Sequence, residues 1–332
     1  MLVAVPREII VDRRLILWYI ALGNTDHWPC QTAVPRGIEI GEAVALLRGG
    51  RGERLRLSAG GAYFVEGRMY KLGCNWSEAL GALLAEGRVD VDYVKYGVYP
   101  DYEERFAQIR PLKPILLHGL GCFDHAGMRE PQKVDFHLAN ARISACGSPH
   151  YGLHMAIQNV DMDAGMTEAG VRERLLSGVR TFKGNIAVPL LVENTPDSPQ
   201  DRTVFDHHPY AEAERLADIL EATGTGLLLD LTHAKITARY RGWDVHDFLS
   251  ALPLERVREI HVNGSGHDEN GFPADTHQAM EGEDFALLEW TLARSAPEIV
   301  TLEYNGIRGE SGTRVRENLI WQLAQLGGSS HG

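Results

Sequence analysis

A chain of 332 residues, 44% of them hydrophobic and 23% charged, has enough apolar side chains for a substantial core, which excludes disorder as its resting state. That length accommodates either two ordinary domains or one (β/α)8 barrel of about 250 residues with an extension. Lys and Arg number 33 against 45 Asp and Glu, a net charge of −12; this removes the diffuse basic footprint of non-specific nucleic-acid binding, and only bound metal cations would change the local field.

The first 68 residues do not follow the pattern of the rest. LILWYIALG (15–23) falls short of the roughly 20 residues that span a bilayer, Asp12, Arg13 and Arg14 precede it, and no small-residue cleavage site follows. Neither a membrane anchor nor a signal peptide is expected. A Gly/Arg-rich break, LLRGGRGER (46–54), leads into a candidate hairpin, LRLSAGGAYFVEGR (55–68). We read 1–68 as an N-terminal extension, either a cap over the barrel or sequence upstream of a natural start at Met69. Cys30, Cys74, Cys122 and Cys146 show no C-x-x-C spacing, and a chain of this size needs no disulfide staples. A reducing cytoplasm is expected.

From 69 to 325 one pattern recurs: a short β-branched or aliphatic run, a polar residue at its end, a loop, then an amphipathic stretch. Eight runs follow it: YKLGCN (70–75), VDYVKYG (91–97), PILLHG (114–119), YGLHMA (151–156), PLLVEN (189–194), GLLLD (226–230), REIHVNG (258–264) and IVTLEYN (299–305). Between them, Ser77 is a natural N-cap for SEALGALLAEG, and AEAERLADILEATG (211–224) carries helical apolar spacing up to a terminal glycine. Strands alternating with helices predict a parallel sheet, and eight strands close a TIM barrel. No 20–50-residue sequence repeat is present, so the repetition is architectural.

The residues that end these runs carry the functional signal. Parallel strands buried on both faces are apolar until they leave the barrel, and the polar residue at the exit points into the C-terminal mouth, where barrel enzymes place their chemistry. His118, His154, Glu193, Asp230, His261 and Glu303 each follow two to four apolar residues. Asp230-Leu-Thr-His233 adds an imidazole to one exit, and Asp275-Thr-His277 supplies a second pair beyond His261. These nine are five His, two Asp and two Glu. Imidazole and carboxylate without thiolate suit catalytic iron, zinc or manganese and argue against a closed structural zinc site. Nine ligands exceed the needs of one ion, so two or three divalent ions sharing bridging carboxylates are expected. A single histidine on an apolar run is more often a core residue; the carboxylates are stronger signals, because burying one without a cation is costly. Asn75 and Lys95 end the first two runs and are either substrate contacts or parts of a solvated rim. His125, His137, His150, His207, His208, His246 and His267 are read as surface or lid residues. No G-x-G-x-x-G, Walker-type loop or G-x-S-x-G elbow occurs, which leaves dinucleotide, nucleotide and serine-hydrolase functions without support.

With GLLLDLTHAKITARYRGWDVHDFLSALPLERVREIHVNGSG (226–266), HGLG (118–121), GLHMA (152–156), LLVENTPDS (190–198), DTH (275–277) and TLEYN (301–305), the chain resembles the multinuclear non-heme iron-dependent oxidative enzymes of the xylose isomerase-like barrels. The resemblance covers roughly 70–310. It implies two or three irons, O2 as co-substrate and a cysteine-containing peptide as substrate, often delivered by a partner protein. It places metal ligands at His118, Glu193, Asp230, His261, Asp275, His277 and Glu303, with His154 in the matching strand-four motif. His233 is a departure, since many members carry Asn there. The same ligand order is also similar to the trinuclear zinc site of endonuclease IV-type enzymes, and the subset Glu193, Asp230, His261 and Glu303 to the one-metal site of sugar isomerases and epimerases. The oxidative family ranks first because the 226–266 match extends beyond ligands. Residues 264–284 contain six acidic residues and no Lys or Arg, a poor grip for a DNA duplex.

Overall fold

A computed structural model describes residues 55–57, 63–65, 70–121, 125–205, 211–307 and 309–327. Strands β1 (Leu55–Leu57) and β2 (Tyr63–Val65) pair antiparallel, with Leu55 opposite Val65 and Leu57 opposite Tyr63. The rest of the 1–68 extension lies outside the described residues.

All eight apolar runs form strands: β3 (Lys71–Asn75), β4 (Tyr93–Tyr96), β5 (Ile115–Leu117), β6 (Tyr151–His154), β7 (Leu190–Glu193), β8 (Gly226–Asp230), β9 (Val257–Val262) and β12 (Ile299–Leu302). They make one sheet in the order β5-β4-β3-β12-β9-β8-β7-β6, and every printed ladder in it is parallel. Just past the end of β5, His118 bridges to Gly152 on β6 and brings the two edges together, so the sheet is a nearly closed barrel. Leu72, Val94, Leu117, Leu153, Val192, Leu229, Ile260 and Val300, one from each barrel strand, are buried in a common core. That double burial is why each run reads as continuously apolar.

The crossovers obey local rules. Helix α1 (Glu78–Ala85) starts where the Ser77 hydroxyl accepts the Leu80 N–H at 3.1 Å. After α2 (Tyr102–Ile109), α3 (Phe136–Cys146) and α4 (Glu168–Asn185), helix α5 (Ala213–Thr223) stops at Gly224, whose φ of 61° only glycine adopts at little cost. Helices α6 (Leu231–Arg241), α7 (Val245–Ser250), α8 (Gly282–Leu292) and α9 (Gly312–Gln325) follow the later strands. One feature interrupts the alternation. Beyond β9 the chain turns through an antiparallel hairpin, β10 (Gly264–His267) and β11 (Pro273–Gln278), and β11 packs against α6.

Among the described residues no helix is long and apolar enough to cross a membrane. Cys74 and Cys146 are buried and unpaired with each other or any described cysteine.

Candidate metal centre

The strand exits converge. His118, His154 and Glu193 form one group of donor atoms, Glu193, Asp230 and His233 a second, and Asp230, His261 and Glu303 a third; within each, the donor atoms lie within 4.8 Å of one another. Glu193 belongs to the first two groups and Asp230 to the last two. The three groups are therefore linked through carboxylates, the side chains able to bridge two cations.

Six of the donors are each positioned by a different barrel strand. His154, Glu193 and Asp230 end β6, β7 and β8, while His118 and Glu303 directly follow β5 and β12. Glu193 Oε2 lies 3.2 Å from both His118 Nε2 and His154 Nε2, and its Oε1 lies 3.3 Å from His261 Nδ1. His261 Nδ1 is also 3.4 Å from Glu303 Oε1 and 3.9 Å from Asp230 Oδ2. The His233 ring pairs Nδ1 with the Asn194 carbonyl at 2.8 Å, which turns Nε2 toward Asp230 at 3.7 Å and Asp275 at 3.3 Å.

Asp275 and His277 join from β11. His277 Nε2 stands 3.2 Å from Asp275 Oδ2 and 3.9 Å from Glu303 Oε2. His277 is the one non-glycine residue among those described with positive φ, at 49°, a strained conformation of the kind that marks functional sites. All nine donors expected from the strand exits and the two added pairs thus gather at one mouth.

Does this set fit a cation? Glu193 Oε2, Asp230 Oδ2 and His261 Nδ1 are buried and have no aligned hydrogen bond, although each has charged or polar atoms within 3.2–3.9 Å. Lone pairs that crowd together without addressing one another are aimed at a common point. Leaving such atoms unsatisfied costs about 1–3 kcal/mol each, more for charged groups. Hard oxygen and borderline nitrogen donors arranged this way fit divalent transition ions.

Burial and close charges pull the acid–base balance of the cluster in different directions. Burial alone would lower the His233 imidazole, yet Asp230 and Asp275 outweigh it and raise its pKa to about 10. Burial and the Lys95 charge push His118 down to about 3. Burial would raise Glu193, but His154 and His118 hold its carboxyl well below the ordinary range. Asp230 is raised, mainly by burial. The carboxylates thus favour a cation at His233, whereas burial and Lys95 oppose one at His118.

Lys95 and Asn75 also reach this mouth. Lys95 is buried rather than on a solvated rim, and its ammonium pairs with the Glu303 carboxylate. Asn75 donates through Nδ2 to the Glu303 backbone carbonyl at 3.1 Å. Both therefore hold Glu303.

Two histidines expected at the surface or in lids are buried instead. His125 contacts Asp161 at 3.3 Å and the Ala156 carbonyl at 3.2 Å, fastening the loop after β5 to the loop after β6. His150 Nε2 lies 2.5 Å from Glu259 Oε2 inside the barrel. His137, His246 and His267 are exposed as expected, and His207 and His208 lie outside the described residues. Glu259 itself escaped the sequence reading, because REIHVNG places it beside exposed Arg258 in what looks like a solvated strand start. Its spacing of two from His261, which puts both on the same strand face, was the available signal. A cavity of about 340 Å3 between α6, α7 and α8 contains none of the nine donors. Its Lys235 is engaged by Glu283 and Asp284.

Comparison with known proteins identifies the family and the fold. A family model for the RiPP precursor modification enzymes MbnB/TglH/ChrH matches residues 92–308. A UPF0276 protein of Bordetella pertussis is 33% identical over 138 residues, covering 40% of this chain and 46% of the relative, so the chain spans about half the length of that protein. Among solved structures, a xylose isomerase domain-containing protein of Salmonella typhimurium superposes with a TM-score of 0.55 at 12% identity, covering 78% of this chain and 97% of that one. The IolI protein with a bound zinc atom superposes with a TM-score of 0.53 at 13% identity, covering 77% and 96%. At these identities the two structures establish the shared xylose isomerase-like barrel.

Proposed function

This chain belongs to the family of RiPP precursor modification enzymes MbnB/TglH/ChrH, and from that premise we propose that it is a multinuclear non-heme iron enzyme that uses O2 to remodel cysteine residues of a precursor peptide. One observation carries the metal part of the reading: three donor groups linked through Glu193 and Asp230. A one-metal epimerase arrangement needs only Glu193, Asp230, His261 and Glu303. Here His118, His154 and His233 are in the cluster as well, and two or three ions account for all of them.

Bound ferrous iron would supply the one-electron chemistry that couples O2 to oxidation of a substrate thiolate. The chain's residues do the placing. Glu193, Asp230, Asp275 and Glu303 bring four carboxylates to the mouth, and Lys95 offsets part of the Glu303 charge. His154 and His277 are the most exposed of the nine donors, so substrate approach runs between β6 and the β10–β11 hairpin. Holding the reacting groups there turns an encounter into a nearly intramolecular event.

The rim supports a peptide substrate presented by a partner protein. Tyr99, Val160, Val204, Phe272 and Ile307, five of the nine large exposed hydrophobic residues among those described, sit in five different segments between a barrel strand and its next helix, the segments that in a barrel of this kind build the catalytic face. Apolar side chains spread around a catalytic face suit a protein or peptide surface. A phosphodiester duplex would ask for cations there, and 264–284 has none.

The test is made on protein purified without oxygen. We expect two or three irons per chain by elemental analysis, O2 uptake that depends on a cysteine-containing peptide, and a change in that peptide's mass. Iron-loaded protein that leaves such peptides unchanged, together with metal-dependent incision of abasic duplex DNA, would overturn the oxidase reading in favour of the nuclease.

A further inference from the structure

Beneath the donor cluster lies a carboxylate that a barrel core does not ordinarily contain. Glu259 is 3% exposed and two residues before His261 on β9, so it points the same way one side-chain layer deeper, about 6.6 Å down the strand. A buried carboxylate is costly unless paired and hydrogen-bonded, and a leucine would fill this layer without that cost. Glu259 is fully engaged. Its Oε2 meets His150 Nε2 at 2.5 Å, and its Oε1 accepts the Thr301 hydroxyl at 2.5 Å and lies 3.3 Å from His261 Nε2.

The surrounding residues are fixed in turn. The His150 carbonyl accepts from the Ser148 hydroxyl at 2.8 Å, and that hydroxyl accepts the Leu117 N–H at 3.1 Å. Gly73 on β3 makes room for the Thr301 hydroxyl, since a Cβ there would come within 2.4 Å of it. The approach of His261 Nε2 to Glu259 is off the N–H axis, short of an aligned hydrogen bond. Even so, Glu259 is the acidic group on that side of the ring. The other nitrogen, Nδ1, faces Glu193, Asp230 and Glu303.

We propose that Glu259 is a positioning residue for the metal centre. It keeps the His261 proton on Nε2 and turns Nδ1 toward Glu193, Asp230 and Glu303, while His150 and Thr301 hold Glu259 in place. A carboxylate behind a ligating imidazole fixes its tautomer and raises its basicity, and losing such a group typically costs 10–100-fold in metal affinity. This assignment rests on the metal reading above, and concerns which atom of His261 serves it and what sets that choice.

The experiment uses the full chain, with zinc as a diamagnetic probe. Affinity is read by competition with a chromophoric chelator, and the His261 ring by long-range 15N–1H correlation in the zinc-loaded protein. In the wild type we expect Nδ1 metal-bound and Nε2 protonated. E259Q, which retains an acceptor oxygen but no charge, keeps that signature with a several-fold loss of affinity. E259A loses 10–100-fold and the single ring state. Should E259A fail to fold, E259Q decides alone, and wild-type affinity in E259Q overturns the proposal. E193Q reports on the centre itself: zinc lost in E193Q but unchanged in E259Q and E259A removes Glu259's role and leaves the metal reading standing. A wild-type chain that binds no zinc or iron removes both.

Discussion

Asp230 serves His233 twice: its Oδ1 accepts the His233 backbone N–H at 2.6 Å, capping helix α6, while its Oδ2 lies 3.7 Å from the His233 imidazole with no aligned hydrogen bond. One carboxylate thus starts the helix and faces the donor cluster, and two substitutions separate these roles. Asn caps helices about as well as Asp. We expect metal-free D230N to match the thermal stability of the metal-free wild type while binding less metal, and metal-free D230A to lose about 1 kcal/mol of stability besides. Elemental analysis and thermal melts of both variants read the two effects independently. Equal metal content in D230N and wild type would take Asp230 out of the centre.

Sharing predicts unequal losses. Glu193 lies in two of the three donor groups and Glu303 in one. We expect E193Q to lose more metal per chain than E303Q, with both retaining the barrel fold by circular dichroism. The metal-free cluster repels itself, so removing a charge relieves part of that strain. Equal losses would mean that Glu193 does not bridge.

Much of this was legible because burial on both faces writes a parallel strand as an unbroken apolar run, and a polar residue at its end then stands out. All eight strands and six of the nine donors stood out in that way, His233, Asp275 and His277 stood out only as the partners in two Asp-His pairs, and Ser77 and Gly224 marked their helix ends by the capping chemistry they perform. Glu259, His150 and His125 did not. Glu259 follows Arg258 at the start of its run, where polar residues ordinarily face solvent, and its partner His150 is 109 positions away in sequence. No local pattern connects residues so far apart; only barrel closure does. Of the two readings open for Lys95, substrate contact or solvated rim, burial removes the rim, and its pairing was hidden for a similar reason, since its partner Glu303 comes from the last strand of the barrel.

Away from the mouth, Arg172 on α4 grips Asp218 on α5 through two hydrogen bonds of 2.6 and 2.8 Å, which hold the Asp218 carboxyl below its ordinary pKa. A depressed carboxyl stabilises the fold above its unfolded value of about 3.9, and that contribution fades as pH falls through the lowered folded value. The pair is substantially exposed, and solvent screening keeps its worth within about 1 kcal/mol. D218N should therefore shift the denaturant midpoint modestly downward at pH 7, with the difference from wild type shrinking toward pH 3. A difference that grows on acidification would contradict the assignment.

Ions that bind the folded chain alone stabilise it by mass action, about 2.7 kcal/mol for one site at a free concentration of 100 times Kd. For a domain of this size each kcal/mol moves the midpoint by roughly 2–4 °C. Loading a chelator-stripped protein with Fe2+ under anaerobic conditions, or with Zn2+, should raise the melting temperature by roughly 5–10 °C per well-filled site. The gain should be largely absent in E193Q. An unchanged melting temperature in the wild type at saturating metal would argue against binding to the folded barrel.

Gly152 offers a test that leaves every donor in place. It lies on β6 opposite His118, and a Cβ there would come within 2.8 Å of both His118 Nδ1 and Leu228 Cδ1. Contacts that short force a neighbour to move. Leu228 is locked in the barrel core, whereas His118 follows the end of its strand and is the freer of the two. G152A should therefore push the His118 ring away from Glu193, now 3.2 Å from it, and cost about 1–3 kcal/mol as overpacking. The group formed by His118, His154 and Glu193 would weaken first, while the group of Asp230, His261 and Glu303 keeps its geometry. Metal titrations should then show one site weakened and the rest retained. Uniform loss at every site, or none, would mean that the closeness of Gly152 to His118 serves barrel closure alone.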